Sequence, residues 1–274
     1  MSAALVTIDC TDGVADVRFN RADKHNSLTL EMFAAISDAI DTINADHAVR
    51  VVVLSGEGPS FCAGLDLSLL QAMLAGGAAA TGTLTSLMRR DDGPDNLAQR
   101  VAYGWKAARV PVIGALHGVA YGGGFQIALG CDMRIADPAT RFSIMEARYG
   151  LVPDMSITQT LPELLSRDVA LELTLTARVF EAAEAAALGL VTRLADEPRA
   201  AALELARTIA DRSPDAVQAI KRLYNASWRA DAAHGLRLEE ALQVPLIGSP
   251  NQVEAVRASM EKRPPRFVDG AGGW

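Results

Sequence analysis

"VPVIGALHGVAYGGGFQIALG", residues 110–130, decides how this chain folds. It opens as an apolar run of strand length, passes through a loop that ends in three successive glycines, and resumes as an apolar stretch that reads as a helix. The same plan stands about 60 residues upstream in "VRVVVLSGEGPSFCAGLDLSLLQAML", residues 49–74. There a buried strand leads to a Gly/Pro loop ending in Ala63-Gly64, and a helix starts near Asp66. Two successive strand-turn-helix units predict a winding, largely parallel α/β arrangement in which the two loops share one rim.

Working outward, "ALVTIDC" (4–10) and "VADVRFN" (14–20) alternate around Thr11-Asp12-Gly13 and predict a hairpin. A polar loop, "RADKHNS" (21–27), precedes a helix whose apolar face is Phe33, Ile36, Ile40 and Ile43, with Thr29 as N-cap and Glu31 in the first turn. Between the two units, residues 75–96, "AGGAAATGTLTSLMRRDDGPDN", are rich in Gly, Ala, Thr and Asp without a firm period, and read as a mobile loop or lid. Shorter strands are expected at "MRIAD", "RFSIM" and "LVTRLAD". The character then changes to four helical segments, so the chain divides into a body, 1–197, and a helical region, 198–274. Ser213-Pro214 and Ser249-Pro250 are good helix starts, and Ser249 with Gln252 fits a capping box.

Half of the 274 residues are hydrophobic, ample for a sizeable core. The apolar runs are too short to span a bilayer, and the N-terminus lacks a basic-then-apolar leader, so a soluble, cytoplasmic protein is expected. A net charge of −7 argues against a nucleic-acid partner. Cys10, Cys62 and Cys131 are too scattered for a disulfide framework or a zinc cluster, and the four histidines are equally dispersed. Neither GxxxxGK[ST], GxGxxG, HExxH nor GxSxG is present, which removes the common nucleotide, metallohydrolase and serine-hydrolase modes.

Backbone chemistry remains. Glycines turn tightly and leave amide hydrogens unshielded, and a helix that follows adds unpaired N–H groups and a positive dipole end. One N–H from Gly123 and one from Ala63 would make a two-donor hole for a developing oxyanion. The same triplet would also serve close helix–strand packing.

Four segments in order, "SFCAGLDL" (60–67), "HGVAYGGGFQIALGCDMRIA" (117–136), "RFSIMEARYGLVPDMSITQTL" (141–161) and "AALGLVTRLAD" (186–196), resemble the crotonase, or enoyl-CoA hydratase/isomerase, family. The resemblance runs from the opening hairpin to "EKRPPRF" (261–267). It implies a spiral of β-β-α turns with a C-terminal helical trimerisation region, assembled as a homotrimer or a dimer of trimers. It implies an acyl-CoA substrate, no metal, and no cofactor beyond the coenzyme A of that substrate. The thioester oxygen would sit between the amides of Ala63 and Gly123, and Arg21, Lys24, Gly64, Leu65 and Asp66 would lie along the substrate.

Hydratases of the family resemble one another in carrying two glutamates, which fall here at Gln126 and Glu146. Adding water to a conjugated double bond benefits from two carboxylates, and an amide transfers no proton in that way. A single base suffices to take a proton from one carbon and return it to another, so double-bond isomerisation of an enoyl- or dienoyl-CoA is expected over hydration. Glu146, among the apolar neighbours of "SIMEA", is the expected base; Asp154, similar in spacing to an aspartate of dienoyl-CoA isomerases, would assist, and Gln126 would position substrate or water. Gln126 could instead satisfy buried backbone groups, Asp154 could cap the segment at Ser156, and Asp66 reads more readily as a helix cap than as a catalyst. The alternatives are a hydratase, another CoA-thioester lyase, hydrolase or dehalogenase, and a catalytically decayed acyl-CoA-binding or RNA-associated protein.

Overall fold

Asp12 and Gly13 both adopt left-handed backbone, φ +52° and +78°, as a two-residue hairpin turn requires. They join β1 (Val6–Thr11) to β2 (Val14–Phe19), antiparallel with Val6 opposite Phe19. The computed structural model describes residues 4–90 and 93–270. A single 3-10 turn (Ala22–Lys24) leads to α1 (Leu30–Ala45), whose N-cap Thr29 accepts from the Met32 amide and whose Phe33, Ile36, Ile40 and Ile43 are buried, as the spacing predicts. The first repeat unit is β3 (Val51–Gly56) and α2 (Leu67–Ala75), followed by α3 (Gly77–Leu87) and α4 (Leu97–Ala107). The second is β4 (Val112–Leu116), β5 (Val119–Tyr121) and α5 (Gly123–Gly130).

The chain continues through β6 (Met133–Ala136), β7 (Arg141–Ser143), a 3-10 turn at Glu146–Tyr149, α6 (Ile157–Thr160), α7 (Arg167–Thr176), β8 (Phe180–Glu181), α8 (Ala182–Ala187) and β9 (Arg193–Leu194). It ends in α9 (Pro198–Ala210), α10 (Pro214–Ser227), α11 (Ala232–Leu246) and α12 (Pro250–Glu261). Two sheets stand in layers. The larger has the order β1-β2-β3-β4-β6-β9, parallel after the hairpin, and the smaller has the order β5-β7-β8. Isolated parallel pairings Leu28–Leu65 and Cys62–Ala120 extend the smaller layer back toward the first unit. Successive strand pairs thus contribute to both layers, a spiral that brings the first loop beside the second.

The core explains the stiffness of the second unit. All eight residues of α5 are buried, with Phe125 against Phe142 and Phe180 at ring separations of 5.2 and 5.8 Å. A second cluster joins Val14, Val51, Val53 and Ile113 to Ala202, Ala206 and Ala210, so small residues let α9 lie close on the larger sheet. Lys221 of α10, 7% exposed, donates to the carbonyls of Trp105 and Val110 and to Asp132 Oδ2 at 2.8–3.0 Å. Asp132 Oδ2 also accepts from the Val112 amide, so one carboxylate ties the tail helix to the start of β4.

Two expectations change. Residues 77–87 are helix and not loop: Gly76 and Gly77, at φ +63° and +62°, break α2 from α3, and the alanine-rich stretch then forms a helix that buries Thr83 and Leu87, one turn apart, while 88–90 and 93–96 stay irregular as expected. Asp91 and Asp92 of that segment lie outside the described residues. Helix α4, unread in the sequence, is set by a capping box in which Asn96 accepts from the Gln99 amide and Gln99 accepts from the Asn96 amide. At α12, Ser249 caps as expected, but the Gln252 side chain reaches the Gly248 amide instead of that of Ser249.

Candidate active site

The loop after β3 is zipped to its neighbours on both sides. Phe61 and Cys62 donate backbone hydrogen bonds to His117 and Val119, and Asn26, wholly buried, donates to the carbonyls of Glu57 and Ser60 at 3.0 and 2.8 Å. The Ala63 amide donates to the His25 carbonyl at 2.9 Å. Gly64 then turns at φ +89°, and a methyl group placed on it would lie 2.6 Å from the Tyr121 carbonyl oxygen and 3.7 Å from the Gly123 amide. Only a bare backbone approaches the second loop so closely. Beyond Gly64, the Leu28 amide donates to Gly64 O and the Asp66 amide to Leu28 O, so the Leu65 N–H faces away from that pairing.

The three glycines divide the work of the second turn. Gly122 takes φ +50° at the N-cap of α5. Gly123 opens the helix with a methyl-sized space already filled by Met155 Sδ at 2.7 Å and Leu28 Cδ1 at 3.0 Å. Gly124 packs on the first loop, where an added methyl would meet the Cys62 carbonyl oxygen at 2.3 Å. The triplet therefore serves packing and also leaves helix-start amides open. Among the described residues the amides of Leu65 and Gly123 have no hydrogen-bond acceptor.

Beside this turn stands Glu146, on the 3-10 turn closed by Gly150 at φ +71°. Its Oε1 accepts from Gln126 Nε2 at 2.6 Å, while its Oε2 is buried without a partner. A methyl group on Gly122 would lie 3.3 Å from Oε1, which places the carboxylate against the glycine turn. Gln126 Oε1 in turn accepts from the Met155 amide at 2.9 Å. Burial pushes the Glu146 carboxyl up from its ordinary value; donation from Gln126 opposes this, and the charge of Asp154 adds to it. Asp154 is itself pushed up by partial desolvation, although the residue as a whole is exposed. No side chain caps α6 at Ser156, so the capping alternative for Asp154 fails.

The residues expected along the substrate gather on the stretch 21–28 and the loop it pairs with. Arg21 Nη1 donates to Asp66 Oδ2 at 2.5 Å and to Ser27 Oγ at 2.7 Å, and Asp66 Oδ1 accepts from the Ser68 amide at the start of α2. Desolvation works to raise the Asp66 carboxyl, but donation from Ser68, Arg21 and Ser27 outweighs it and holds the group well below the usual carboxylate range. Asp66 caps α2, as its position predicts, and is also the ion-pair partner of Arg21. Lys24 is exposed and Leu65 half-buried.

One expectation is corrected here. Ala63 is not an open donor, since its amide is spent on His25; the open amide is that of Leu65, two residues on. Counting along a strand misplaces it because the left-handed Gly64 breaks the alternation of amide directions. The clamp on the Met155 amide was also unread, and no local signal marks it. Among the described residues no group of His, Cys, Asp and Glu could hold a metal ion, and no helix is long and apolar enough to cross a membrane.

An apolar spiral presenting two open amides beside a half-buried carboxylate has close counterparts among known proteins. The pattern of the enoyl-CoA hydratase/isomerase family matches residues 9–270, and the chain belongs to that family. Human mitochondrial methylglutaconyl-CoA hydratase is 31% identical over 262 residues, 93% of this chain and 74% of that one. The peroxisomal Delta(3,5)-Delta(2,4)-dienoyl-CoA isomerase of Arabidopsis thaliana is 32% identical over 254 residues, 91% of this chain and 90% of that one. The crystal structure of an enoyl-CoA hydratase from Bacillus anthracis superimposes with a TM-score of 0.87 at 28% identity, covering 97% of this chain and 100% of that chain.

Proposed function

We propose that this protein relocates a carbon–carbon double bond in an acyl-CoA thioester. The thioester oxygen lies between the Leu65 and Gly123 amides, with Arg21, Lys24, Gly64 and Asp66 on the side that takes the coenzyme. Glu146 Oε2 removes a proton from the carbon next to the thioester carbonyl of a β,γ-enoyl-CoA. The electron pair of that C–H bond spreads into a dienolate whose charge rests on the oxygen between the two amides. The same proton returns to the γ carbon, leaving an α,β double bond and a carboxylate ready for the next cycle. Asp154 accepts or delivers the proton where the substrate is a dienoyl-CoA. Each oxyanion donor in such a hole is worth about 10²–10³-fold in rate.

One observation carries this reading: Glu146 has one oxygen without a partner, and the side chain bonded to its other oxygen is the amide of Gln126, which transfers no proton. Hydration would need a second acid at that point. Purified protein given a β,γ-enoyl-CoA, a 3,5-dienoyl-CoA and crotonyl-CoA should isomerise the first two faster than it hydrates the third. Glu146→Gln should lower isomerisation about 10³-fold. Robust hydration without isomerisation would overturn the reading while leaving the family untouched.

The helical region 198–274 is proposed as the surface between subunits of a trimer or a pair of trimers. Supporting this, Trp228 is 62% and Met260 80% exposed, and an apolar groove of ≈ 420 Å³ between α10 and α11 is lined by Ile220, Leu223, Leu242 and Leu246.

A further inference from the structure

We propose that Gln126 is a positioning residue acting on the base and not on the substrate: it pins Glu146 Oε1 and the Met155 amide together, and so leaves Glu146 Oε2 as the one oxygen that carries the substrate proton. This rests on the isomerase reading and deepens it.

The orientation of the amide is dictated by its neighbours. A backbone N–H only donates, so the group facing Met155 is Gln126 Oε1; the NH2 is then turned to Glu146, which accepts. Gln126 is 1% exposed, inside a helix buried along its whole length, so neither flip nor solvent competes. Met155 follows Asp154 directly and also fills the space over Gly123 at 2.7 Å. One side chain thus sets three things at once: the free oxygen of the base, the position of the segment bearing Asp154, and the wall beside the Gly123 amide. A carboxyl at 126 could not do the same. Ionised, it would set two acceptors 2.6 Å apart, and the pair would share one proton and titrate as a unit. Asp154 is the charged group acting on Glu146 from the following segment. Helix α7, packed against this turn, carries Arg167, Asp168 and Glu172; Asp168 is held by Ser166 and Glu172 by Arg178.

The experiment compares wild type, Gln126→Met and Gln126→Glu in the full chain. The Glu146 carboxyl is followed by 13C NMR of glutamate-labelled protein, with Glu146→Gln assigning the resonance, and the pH profile of isomerisation is measured alongside. Removing the donated hydrogen bond disfavours the charged base, so in Gln126→Met the titration and the acid limb of kcat/KM should both move up by about one pH unit, with KM changed less than kcat. Gln126→Glu keeps an acceptor for the Met155 amide, guards against simple misfolding, and should show a proton shared by both carboxyls. An unmoved Glu146 titration, or a uniform loss of rate with no displacement of the limb, overturns the proposal. If wild type isomerises no CoA ester, the functional reading fails and the titration still decides the role of Gln126.

Discussion

The two turns that present open amides are built by opposite means. At Gly123 the donor comes with its own support, because a buried helix begins there and its dipole and free N–H groups arrive together. At Leu65 the chain is still extended, and the amide is aimed by contacts from elsewhere: Asn26 holds the loop from beneath, Leu28 pairs on one side, and Arg21 fixes Asp66 just beyond. A donor built on a helix start is a local property of the sequence, whereas a donor in an extended loop is a property of the whole fold. The first should resist distant substitutions and the second should not.

Three substitutions test that difference, the largest effect first. Gly124→Ala forces a methyl group to within 2.3 Å of the Cys62 carbonyl, a point where the helix-borne turn presses on the loop-borne one. Both donors should be displaced together, at a cost of about 3 kcal/mol or more in denaturant unfolding and with activity lost. Gly64→Ala strains a backbone at φ +89° and pushes on Tyr121 O, which should cost about 2–3 kcal/mol and lower kcat about 10²-fold, while an α5 amide probe by hydrogen exchange stays native. If the α5 amides exchange faster as well, the second turn is not self-supporting.

Asp66→Asn is the mildest change. It weakens the ties to Arg21, Ser27 and Ser68 and should cost about 1 kcal/mol at neutral pH. Because the folded carboxyl is held low, the stability it adds is complete above the unfolded value of about 3.9 and fades as pH falls below it, so the variant and wild type should converge in acid. A deficit that persists at low pH would show that the cap, not the charge, holds the first donor.

The same division explains what the sequence discloses. Features written in neighbouring residues are legible: the Asp12-Gly13 hairpin, the Thr29 cap with its Phe33–Ile43 face, the repeated strand-turn-helix plan, and the Gly123 donor at a helix start. Gln126 and Glu146, twenty residues apart, are legible as a pair only through the family likeness; their hydrogen bond depends on how β7 returns beside β5. Leu65 is legible as a residue along the substrate but not as the open donor, because one left-handed glycine changes which way the next amide points. Helix α3 is hard to read because, among its described side chains, Thr83 and Leu87 mark the buried side, too little to reveal a period.

Lys221 gives the helical tail a distinctive place in folding. Its ammonium is surrounded by two carbonyls and one carboxylate, and all three belong to segments between residues 105 and 132. Undocking α10 would take the ammonium from all three acceptors at once and leave Asp132 Oδ2 with the Val112 amide, so partial release of the tail forfeits the three bonds together. Body and tail should therefore melt in a single transition, and β4, which begins the second unit, inherits the durability of a helix about a hundred residues further along the chain.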